Sequence, residues 1–219
     1  MGIDNTIVLA SGNPGKLAEL RAVLDATGIE LVPQTALGID DADETGRTFV
    51  ENAILKARHA ARASGLPALA DDSGLCVDAL RGAPGLYSAR YAGVHGDNDA
   101  NNAKLLHELE GVPDERRCAH FTCVLALLRS GGDPDPLIAH GRWDGHVLTA
   151  PRGARGFGYD PVFLPDDGDG TSAAELDPDT KNRISHRGQA LAALREMLGT
   201  WDRGPGTGKP WSPARIRNG

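Results

Sequence analysis

The chain has 219 residues, of which 40% are hydrophobic, and its formal net charge of -7 corresponds to an isoelectric point near 5.5. A chain of this length can bury a full core, and it fits one large α/β domain or two small lobes. The acidic balance excludes a broad nucleic-acid-binding face, although it is compatible with a local basic pocket for a small anion.

Several features of the sequence bear on where the protein works. Its three cysteines include no C-x-x-C pair, which is typical of a reducing compartment. No run approaches the roughly 18 apolar residues of a membrane span. The first residues, M-G-I-D-N, lack the charged and apolar regions of a signal peptide. We therefore expect a cytoplasmic protein that has neither a membrane nor a nucleic acid as its partner.

Short apolar runs alternate with stretches of helical periodicity, and this alternation predicts an α/β layer structure. The first half of the chain is predicted to contain strands at 7–10, 30–33 and 68–70, and a helix at 15–27. A second helix is predicted from a capping-box signature at Thr48 and Glu51, and it should end at Ser64-Gly65.

The second half is predicted to contain a helix at 99–109, a strand at 121–129 paired with a strand at 137–143, and a helix at 189–198. Irregular structure is predicted for the acidic stretch I-D-D-A-D-E-T-G and for the Gly/Pro-rich residues 81–93. Residues 203–219 contain too much Pro and Gly to pack, so we expect this tail to be disordered.

The first predicted strand runs directly into the sequence S-G-N-P-G-K at the start of a predicted helix. A helix N-terminus attracts anions, and Lys16 adds a charge that is unfavourable there unless an anion is bound nearby. The stretch is not a Walker A loop, because Ala10 stands where the first Gly should be and Leu17 replaces the Ser/Thr. Phosphate binding and a plain strand-to-helix turn are both consistent with these residues.

Two adjacent carboxylates, Asp71 and Asp72, directly follow the predicted strand at 68–70. Ligands of α/β folds commonly bind at the carboxyl ends of strands. Oxygen ligands without a nearby His or Cys cluster suit Mg²⁺, which often bridges carboxylates to substrate phosphates. A phosphate loop and a magnesium-binding carboxylate together indicate a nucleoside triphosphate. The acidic residues at 40–43 are instead typical of solvated surface.

A third group of candidate residues lies in G-F-G-Y-D-P at 156–161 and K-N-R-I-S-H-R-G-Q-A-L at 181–191. Phe157 and Tyr159 can stack on a base or pack in a satellite core. Ser185, before a predicted helix, either caps that helix or donates to a ligand together with its neighbours. A Ser/His/Asp hydrolase does not fit, because the sequence has no G-x-S-x-G elbow.

Six motifs, in chain order, carry a resemblance to a known family. They are S-G-N-P-G-K-x-x-E, E-T-G-x-T-F-x-E-N-A-x-x-K-A, A-D-D-S-G-L-x-V-D, G-A-P-G-x-Y-S-A-R-Y, G-F-G-Y-D-P-x-F and I-S-H-R-G-Q-A-L. Together they closely resemble the pyrophosphatases of non-standard purine nucleoside triphosphates, also called inosine triphosphate pyrophosphatases. The resemblance covers roughly residues 5–198 and leaves the tail outside, and Pro14 occupies a position that the family pattern leaves variable.

This resemblance implies an α/β fold with an elongated mixed β-sheet and two lobes around a central nucleotide cleft. It implies a single two-lobed domain over residues 1–202, with 203–219 as a tail, and a homodimer. The implied activity is Mg²⁺-dependent hydrolysis of the triphosphates of inosine, deoxyinosine and xanthosine (ITP, dITP and XTP) to the monophosphate and pyrophosphate. Such hydrolysis cleanses the nucleotide pool.

Carried over position by position, the resemblance assigns roles to named residues. The triphosphate loop comprises Ser11, Gly12, Asn13, Pro14, Gly15 and Lys16. Asp72 corresponds to the catalytic base and a metal ligand, Glu44 to a second metal ligand, and Ser73 to a substrate contact. The phosphate-side lysines are Lys56 and Lys181, and the base pocket comprises Phe157, Gly158, Tyr159, Asp160, His186 and Arg187.

Two other classes of function stay open at this level. A nucleotide-binding regulatory module would keep the loop at Lys16 but would not need Asp72 beside a metal. A kinase-like phosphotransferase would make a diphosphate or transfer the γ phosphate.

Base selection has a physical cause in the preferred interpretation. A fixed donor such as Arg187 would pair with the C6 oxygen of hypoxanthine or xanthine and would leave the amino group of adenine unsatisfied. Guanine carries the same oxygen, so its rejection must depend on other contacts.

Overall fold

The computed structural model of the protein describes residues 6–24 and 29–201. Its strands are β1 (Thr6–Leu9), β2 (Glu30–Pro33), β3 (Ala68–Val77), β4 (Cys118–Leu128), β5 (Leu137–Val147) and β6 (Phe163–Pro165). Its helices are α1 (Pro14–Leu24), α2 (Phe49–Ser64), α3 (Asn98–Glu108), α4 (Pro178–Ile184) and α5 (His186–Trp201). The strands form a six-stranded sheet in the order β2-β1-β3-β4-β5-β6.

The sheet is mixed, because β1 pairs in parallel with both β2 and β3 whereas β5 and β6 are antiparallel. The predicted mixed α/β fold class is therefore confirmed. By its contacts the chain divides into two compact units. Unit 1 comprises the described parts of Met1–Asp72, Val124–His140 and Ala190–Gly219, and unit 2 comprises Ser73–Cys123 and Gly141–Gln189.

The core of unit 1 combines one face of α2 with apolar strand residues. Ala53, Ala57 and Ala60 recur at helical spacing and are fully buried. They belong to the same cluster as Val8 of β1 and Val124 of β4. Because alanine side chains are short, the backbone of α2 can approach the strands closely, and Lys56 of this helix reaches Asp72 of β3.

The core of unit 2 is aromatic. The Phe121 ring of β4 lies 4.7 Å from the Phe163 ring of β6, centroid to centroid, in an edge-on arrangement. The Trp143 ring of β5 lies 5.3 Å from Phe163. The indole Nε1 of Trp143 donates a hydrogen bond of 3.0 Å to Asp167 Oδ1, so its polar end is satisfied.

Most predicted elements are confirmed, with small differences in length. The Thr48 side chain accepts a hydrogen bond from Glu51 N at the start of α2, as the capping box predicts, and the helix ends at Gly65 in the left-handed conformation (φ 69). β2 and α3 agree with prediction to within one residue. The predicted pairing of β4 with β5 is also confirmed, although β4 begins earlier and β5 ends later than predicted.

One strand differs from prediction in a way that matters for the site. Asp71 and Asp72 were expected to follow a short strand at 68–70, but they lie inside β3, which continues to Val77. Unpaired charges are rarely buried, so a buried strand seldom continues through two adjacent acids. Within the fold they are paired with lysines, so the strand can continue through them.

Short elements escaped prediction. β6 has three residues and α4 has seven, and both are too short for a periodic pattern to emerge. The Gly/Pro-rich segment predicted as irregular contains a 3-10 helix at Gly85–Arg90. The last residues of the predicted helix at 15–27 and the tail at 203–219 lie outside the described residues.

Within residues 6–24 and 29–201, no helix has the length and apolar character needed to cross a bilayer.

The connection between β4 and β5 is closed by a buried carboxylate. Asp133 Oδ2 accepts hydrogen bonds from Arg129 N at 2.9 Å and from Arg129 Nε at 2.8 Å, and Oδ1 accepts from Asp135 N at 3.1 Å. Burial alone would raise the pKa of Asp133, but the guanidinium and the backbone donors hold it at about 2.

We expect Asp133→Asn to lower the free energy of unfolding at neutral pH by about 1–2 kcal/mol, because the amide loses the charge that Arg129 binds. The pKa of this carboxyl is lower in the folded than in the unfolded chain. Its contribution is therefore complete above about pH 4 and is lost as the pH falls toward about 2. Urea unfolding at neutral and acidic pH measures both effects. Asp144→Asn, which breaks an exposed pair with Arg142, is the control; equal losses in the two variants would contradict the argument.

Candidate functional site

Five charged residues of unit 1 lie together, and we call them the carboxylate–lysine cluster: Lys16, Glu44, Lys56, Asp71 and Asp72. The Lys56 ammonium donates to Glu44 Oε1 at 3.1 Å, to Asp72 Oδ1 at 2.5 Å and to the carbonyl of Asp71 at 3.0 Å. Lys16 Nζ lies 2.7 Å from Asp71 Oδ1. An ammonium has three N–H donors, so these contacts use the full donor capacity of Lys56.

The fold explains why residues so far apart in sequence meet here. Leu9 of β1 is aligned with Leu69 of β3, so the loop that follows β1 leads toward Asp71. That loop opens α1, which carries Lys16 in its first turn. Lys56 lies on α2, and Glu44 belongs to the loop before that helix. Four residues predicted for the phosphate and metal side, Lys16, Glu44, Lys56 and Asp72, are thereby brought together. Lys181, the other lysine predicted for the phosphate side, belongs to unit 2 and pairs with Asp160.

Burial and charge act against each other in this cluster. Burial would lower the pKa of Lys56, but the carboxylates of Asp72, Glu44 and Asp71 raise it above its ordinary value, so Lys56 stays charged. For Asp72, burial raises the pKa, and the nearby lysines offset the rise only in part. A carboxyl whose pKa is raised is a stronger base than an exposed aspartate.

One oxygen of Asp72 is available for a further ligand. Oδ2 is buried, and none of the residues described by the structure donates a hydrogen bond to it. A buried carboxylate oxygen without a donor is costly unless a cation or a ligand completes its coordination. Glu44 contacts the same ammonium as Asp72, so a second carboxylate is close by. Two carboxylates are a sufficient protein contribution for Mg²⁺, which takes its other ligands from water and phosphate.

The loop at 11–16 is organised by its own side chains. Asn13 Oδ1 accepts hydrogen bonds from Gly15 N at 2.9 Å and from Lys16 N at 3.2 Å, and it thereby caps the start of α1. Asn13 N in turn donates to Ser11 Oγ at 3.1 Å. Asp71 supplies a negative charge next to Lys16 from within the chain. The loop therefore forms a capped turn and also positions Lys16 beside Asp71.

A second group lies in unit 2, and we call it the aromatic–basic cluster: Ser73, Phe157, Asp160, Lys181 and Arg187. The carboxylate of Asp160 is at its centre, since Oδ2 accepts hydrogen bonds of 2.7 Å from both Lys181 Nζ and Phe157 N. Lys181 Nζ and Arg187 Cζ lie 5.2 Å and 5.7 Å from the centroid of the Phe157 ring. Arg187 also donates to Ser73 Oγ at 3.4 Å.

Gly156 explains how the Phe157 loop can bend around Asp160. Its φ of +75 lies in the left-handed region, and a Cβ at this position would overlap Asp160 Oδ2. A glycine is therefore required for the carboxylate to reach the backbone of the loop.

Other residues predicted for the base pocket are largely buried. The Tyr159 side chain belongs to the core of unit 2, and its hydroxyl donates to the carbonyl of Ser88 at 2.9 Å. The His186 ring stacks on Phe121 with centroids 4.7 Å apart and planes 9° apart. Ser185 Oγ accepts a hydrogen bond from Gly188 N at 3.2 Å, which is the capping interaction considered from the sequence. The half-buried Phe157 is thus the aromatic side chain better placed to meet a base.

The sequence did not point to Asn102. This residue of α3 is buried and donates through Nδ2 to the carbonyl of Gly158 at 3.0 Å, so it holds the Phe157 loop. It also lines a cavity of about 590 Å³ together with Leu106, Arg155 and Phe157. No sequence pattern marked Asn102, because its contact is with a backbone carbonyl far away in the chain.

A sequence profile of the Ham1 family matches residues 7–197. The chain is 62% identical over 192 residues to a protein of Xanthomonas campestris pv. campestris named dITP/XTP pyrophosphatase, and the match covers 88% of this chain and 96% of that protein. The chain belongs to the Ham1 family.

Solved structures agree with this assignment to the Ham1 family. A HAM1 protein from Coxiella burnetii is 53% identical with a TM-score of 0.81, covering 88% of this chain and 98% of that chain. A nucleoside-triphosphatase, also named dITP/XTP pyrophosphatase, from Mycobacterium abscessus is 47% identical with a TM-score of 0.70, covering 88% and 99%. Every residue in the two clusters lies within the range that the Ham1 profile matches.

We expect Asp160→Asn to destabilise the protein by about 3–5 kcal/mol, because it removes the charge of a buried carboxylate that pairs with the ammonium of Lys181. Equilibrium urea unfolding measures the loss. Glu175→Gln is the matched control, since it removes the charge from an exposed pair with Arg152 and should change stability little. If both variants unfolded at the same urea concentration as the wild type, Asp160 would not organise the aromatic–basic cluster.

Proposed function

We propose that this Ham1 protein hydrolyses the triphosphates of non-standard purine nucleosides, such as ITP, dITP and XTP, to the monophosphate and pyrophosphate. The observation that carries the proposal is Asp72, a buried carboxylate of raised pKa that contacts Lys56 and keeps one oxygen without a donor from the described residues. The relatives named dITP/XTP pyrophosphatase, which are similar along nearly their whole length, support the same conclusion.

The residues of the carboxylate–lysine cluster suit hydrolysis at the α phosphorus. Asp72 accepts the proton of a water molecule whose oxygen bonds to the α phosphorus, while the bond to the bridging oxygen of pyrophosphate breaks. Lys16 and Lys56 neutralise charge on the phosphates. The hydrogen bonds of Ser11 and Asn13 hold the loop that positions Lys16 at the start of α1. The family resemblance adds Lys181 as a further phosphate-side lysine and Ser73 as a substrate contact.

We include Mg²⁺ in the proposal, with Asp72 and Glu44 as its protein ligands. When bound there, the ion would neutralise phosphate charge and act as a Lewis acid toward the phosphoryl oxygens. The support from this chain is the unsatisfied Oδ2 of Asp72 and the second carboxylate on the same lysine.

Phe157 and Arg187 of the aromatic–basic cluster are proposed to bind the base. The exposed part of the Phe157 ring offers a stacking surface, and the guanidinium of Arg187 offers donors for an acceptor at C6 of the purine. Asp160 keeps the loop of Phe157, Gly158 and Tyr159 in place, and His186 fixes the start of α5 by its stack on Phe121. A site built on donors would leave the amino group of adenine unpaired and so disfavour it.

The family resemblance also leads us to propose a cytoplasmic homodimer with one catalytic domain over residues 1–202. Sedimentation of the full chain at several concentrations tests the oligomeric state. If the chain were a monomer at all concentrations, the proposed homodimer would be wrong, but the proposed hydrolysis would not be affected.

We expect Asp72→Asn to reduce kcat for ITP by at least about 100-fold while leaving the affinity for the nucleotide largely intact, because the amide keeps the shape but cannot accept a proton. Lys16→Ala should instead raise KM more than it lowers kcat, since it removes a charge from the phosphate side. Steady-state pyrophosphate release and calorimetric titration with ITP separate the two effects. Wild-type turnover in Asp72→Asn would exclude Asp72 as the base.

The position of the broken bond gives an independent test. Inosine triphosphate and Mg²⁺ should yield inosine monophosphate and pyrophosphate in equal amounts, with no diphosphate intermediate. In ¹⁸O-labelled water the label should enter the monophosphate, because attack at the α phosphorus leaves the solvent oxygen there. Label in pyrophosphate would indicate attack at the β phosphorus, and sequential release of orthophosphate would favour an enzyme acting on the γ phosphate. A chain that binds the nucleotide without turnover would be a regulatory module instead.

A further inference from the structure

Three neighbouring strands bring a thiol, an imidazole and a carboxylate together in unit 2, outside both clusters described above. Cys118 is the first residue of β4, His146 is next to last in β5, and Asp166 directly follows β6. β4, β5 and β6 are adjacent in the sheet, and the antiparallel register of β5 and β6 places Pro165, which precedes Asp166, opposite Gly145, which precedes His146. His146 is aligned with Leu164, two residues before Asp166.

The end of the sheet is held rigidly at this point. Val147 N donates to the carbonyl of Arg117 at 2.9 Å, so the residues that adjoin His146 and Cys118 are bonded directly to each other. The buried guanidinium of Arg117 donates in return to the carbonyls of Val147 and Leu148, at 2.7 Å each. The backbones that carry the thiol and the imidazole are therefore fixed relative to each other.

The side-chain contacts form a relay from carboxylate to thiol. Asp166 Oδ1 lies 2.9 Å from His146 Nδ1, and His146 Nε2 lies 3.5 Å from Cys118 Sγ. Because a carboxylate only accepts hydrogen bonds, it selects the tautomer of His146 that carries its proton on Nδ1. Nε2 of the neutral imidazole is then an acceptor, and it faces the thiol.

The charged side chains around the relay come from the same three strands and their connections. His120 and Asp144 belong to the same strands as Cys118 and His146, and Asp144 is paired with Arg142. The carbonyl of Glu115 lies 3.7 Å from Cys118 Sγ as an alternative acceptor for the thiol proton. Cys118 is partly exposed, and the His146 and Asp166 side chains are 39% and 53% exposed, so a small molecule can reach the thiol from solvent.

The other cysteines lack this environment. Cys123 is fully buried, and burial raises the pKa of the Cys76 thiol, which favours its unreactive protonated form. The described structure therefore singles out Cys118 among the three thiols, by its contact with an oriented imidazole.

We propose that Cys118, His146 and Asp166 form a thiol-exchange site that reacts with small disulfides. The thiol proton passes from Sγ to His146 Nε2, and the thiolate attacks one sulfur of the disulfide. A bond forms between Cys118 Sγ and that sulfur, the disulfide bond breaks, and the other half leaves as a thiolate that takes the proton back. The protein thiol is oxidised to a mixed disulfide while the leaving half is reduced, so no further oxidant is needed.

The test uses the full chain and the aromatic disulfide 5,5′-dithiobis(2-nitrobenzoic acid), whose released thiolate is followed by absorbance. We expect one thiol of the folded protein to react at least about tenfold faster than the same thiol in urea-unfolded chain, since its base is oriented only in the fold. Peptide mass spectrometry should place the adduct on Cys118. The fast phase should disappear in Cys118→Ser and persist in Cys76→Ser, which is the matched control.

Two further variants test the relay without removing the thiol. His146→Gln should slow the reaction of Cys118 about tenfold with an unchanged circular dichroism spectrum. Asp166→Asn should also slow it, and Asp166→Glu, which keeps a carboxylate, should recover most of the wild-type rate. If Asp166 had a purely structural role, Cys118 would react at similar rates in Asp166→Asn and Asp166→Glu. Labelling of Cys118 at the unfolded rate, or a wild-type rate in His146→Gln, would overturn the proposal.

Discussion

The site depends most on the contact between the ammonium of Lys56 and two carboxylates, those of Glu44 and Asp72. Glu44 lies in the loop before α2, and Asp72 lies in β3. Asp72 is half of a pair of acids inside a buried strand, and an unpaired buried carboxylate would cost several kcal/mol. Lys56 offsets that cost for Asp72 and Glu44 together, and it also donates to the backbone of Asp71. β3 can therefore contain two buried aspartates. The ion pair between Lys56 and Asp72 and the packing of the alanine face of α2 both hold this helix against β3.

The ion pairs of Asp71 and Asp72 show which parts of the fold could be predicted from the sequence and which could not. Local signals, such as the capping box at Thr48 and Glu51, were sufficient to predict α2, because every group involved lies within a few residues. β3 was predicted too short, because the partners that neutralise Asp71 and Asp72 come from Lys16 and Lys56, far away in the chain. No local pattern carries such a long-range pairing, so a charged residue is interpreted as the end of a strand until its partner is known.

The candidate site shows a similar division. The motifs identified the residues of both clusters, but they did not tell which ones touch which. The packing of unit 2 decides these contacts. It places Asp160 between Lys181 and the backbone of Phe157, and it buries the side chain of Tyr159 in the core. Asn102 was missed because its role is to hold the carbonyl of Gly158, and a residue that acts through a backbone atom leaves no motif of its own.

Charge balance within the carboxylate–lysine cluster links the proposed metal to the proposed substrate. Its three carboxylates outnumber its two ammonium groups, and the donors of Lys56 are already used by oxygens of the chain. Such a cluster repels a triphosphate, whatever its lysines would contribute individually. The proposed divalent cation, if held by Asp72 and Glu44, would reverse the sign of the cluster's charge and compete with Lys56 for the same carboxylates. The lysine would then be released toward phosphate oxygens as the cation binds, so that metal and nucleotide binding become coupled through one ammonium group.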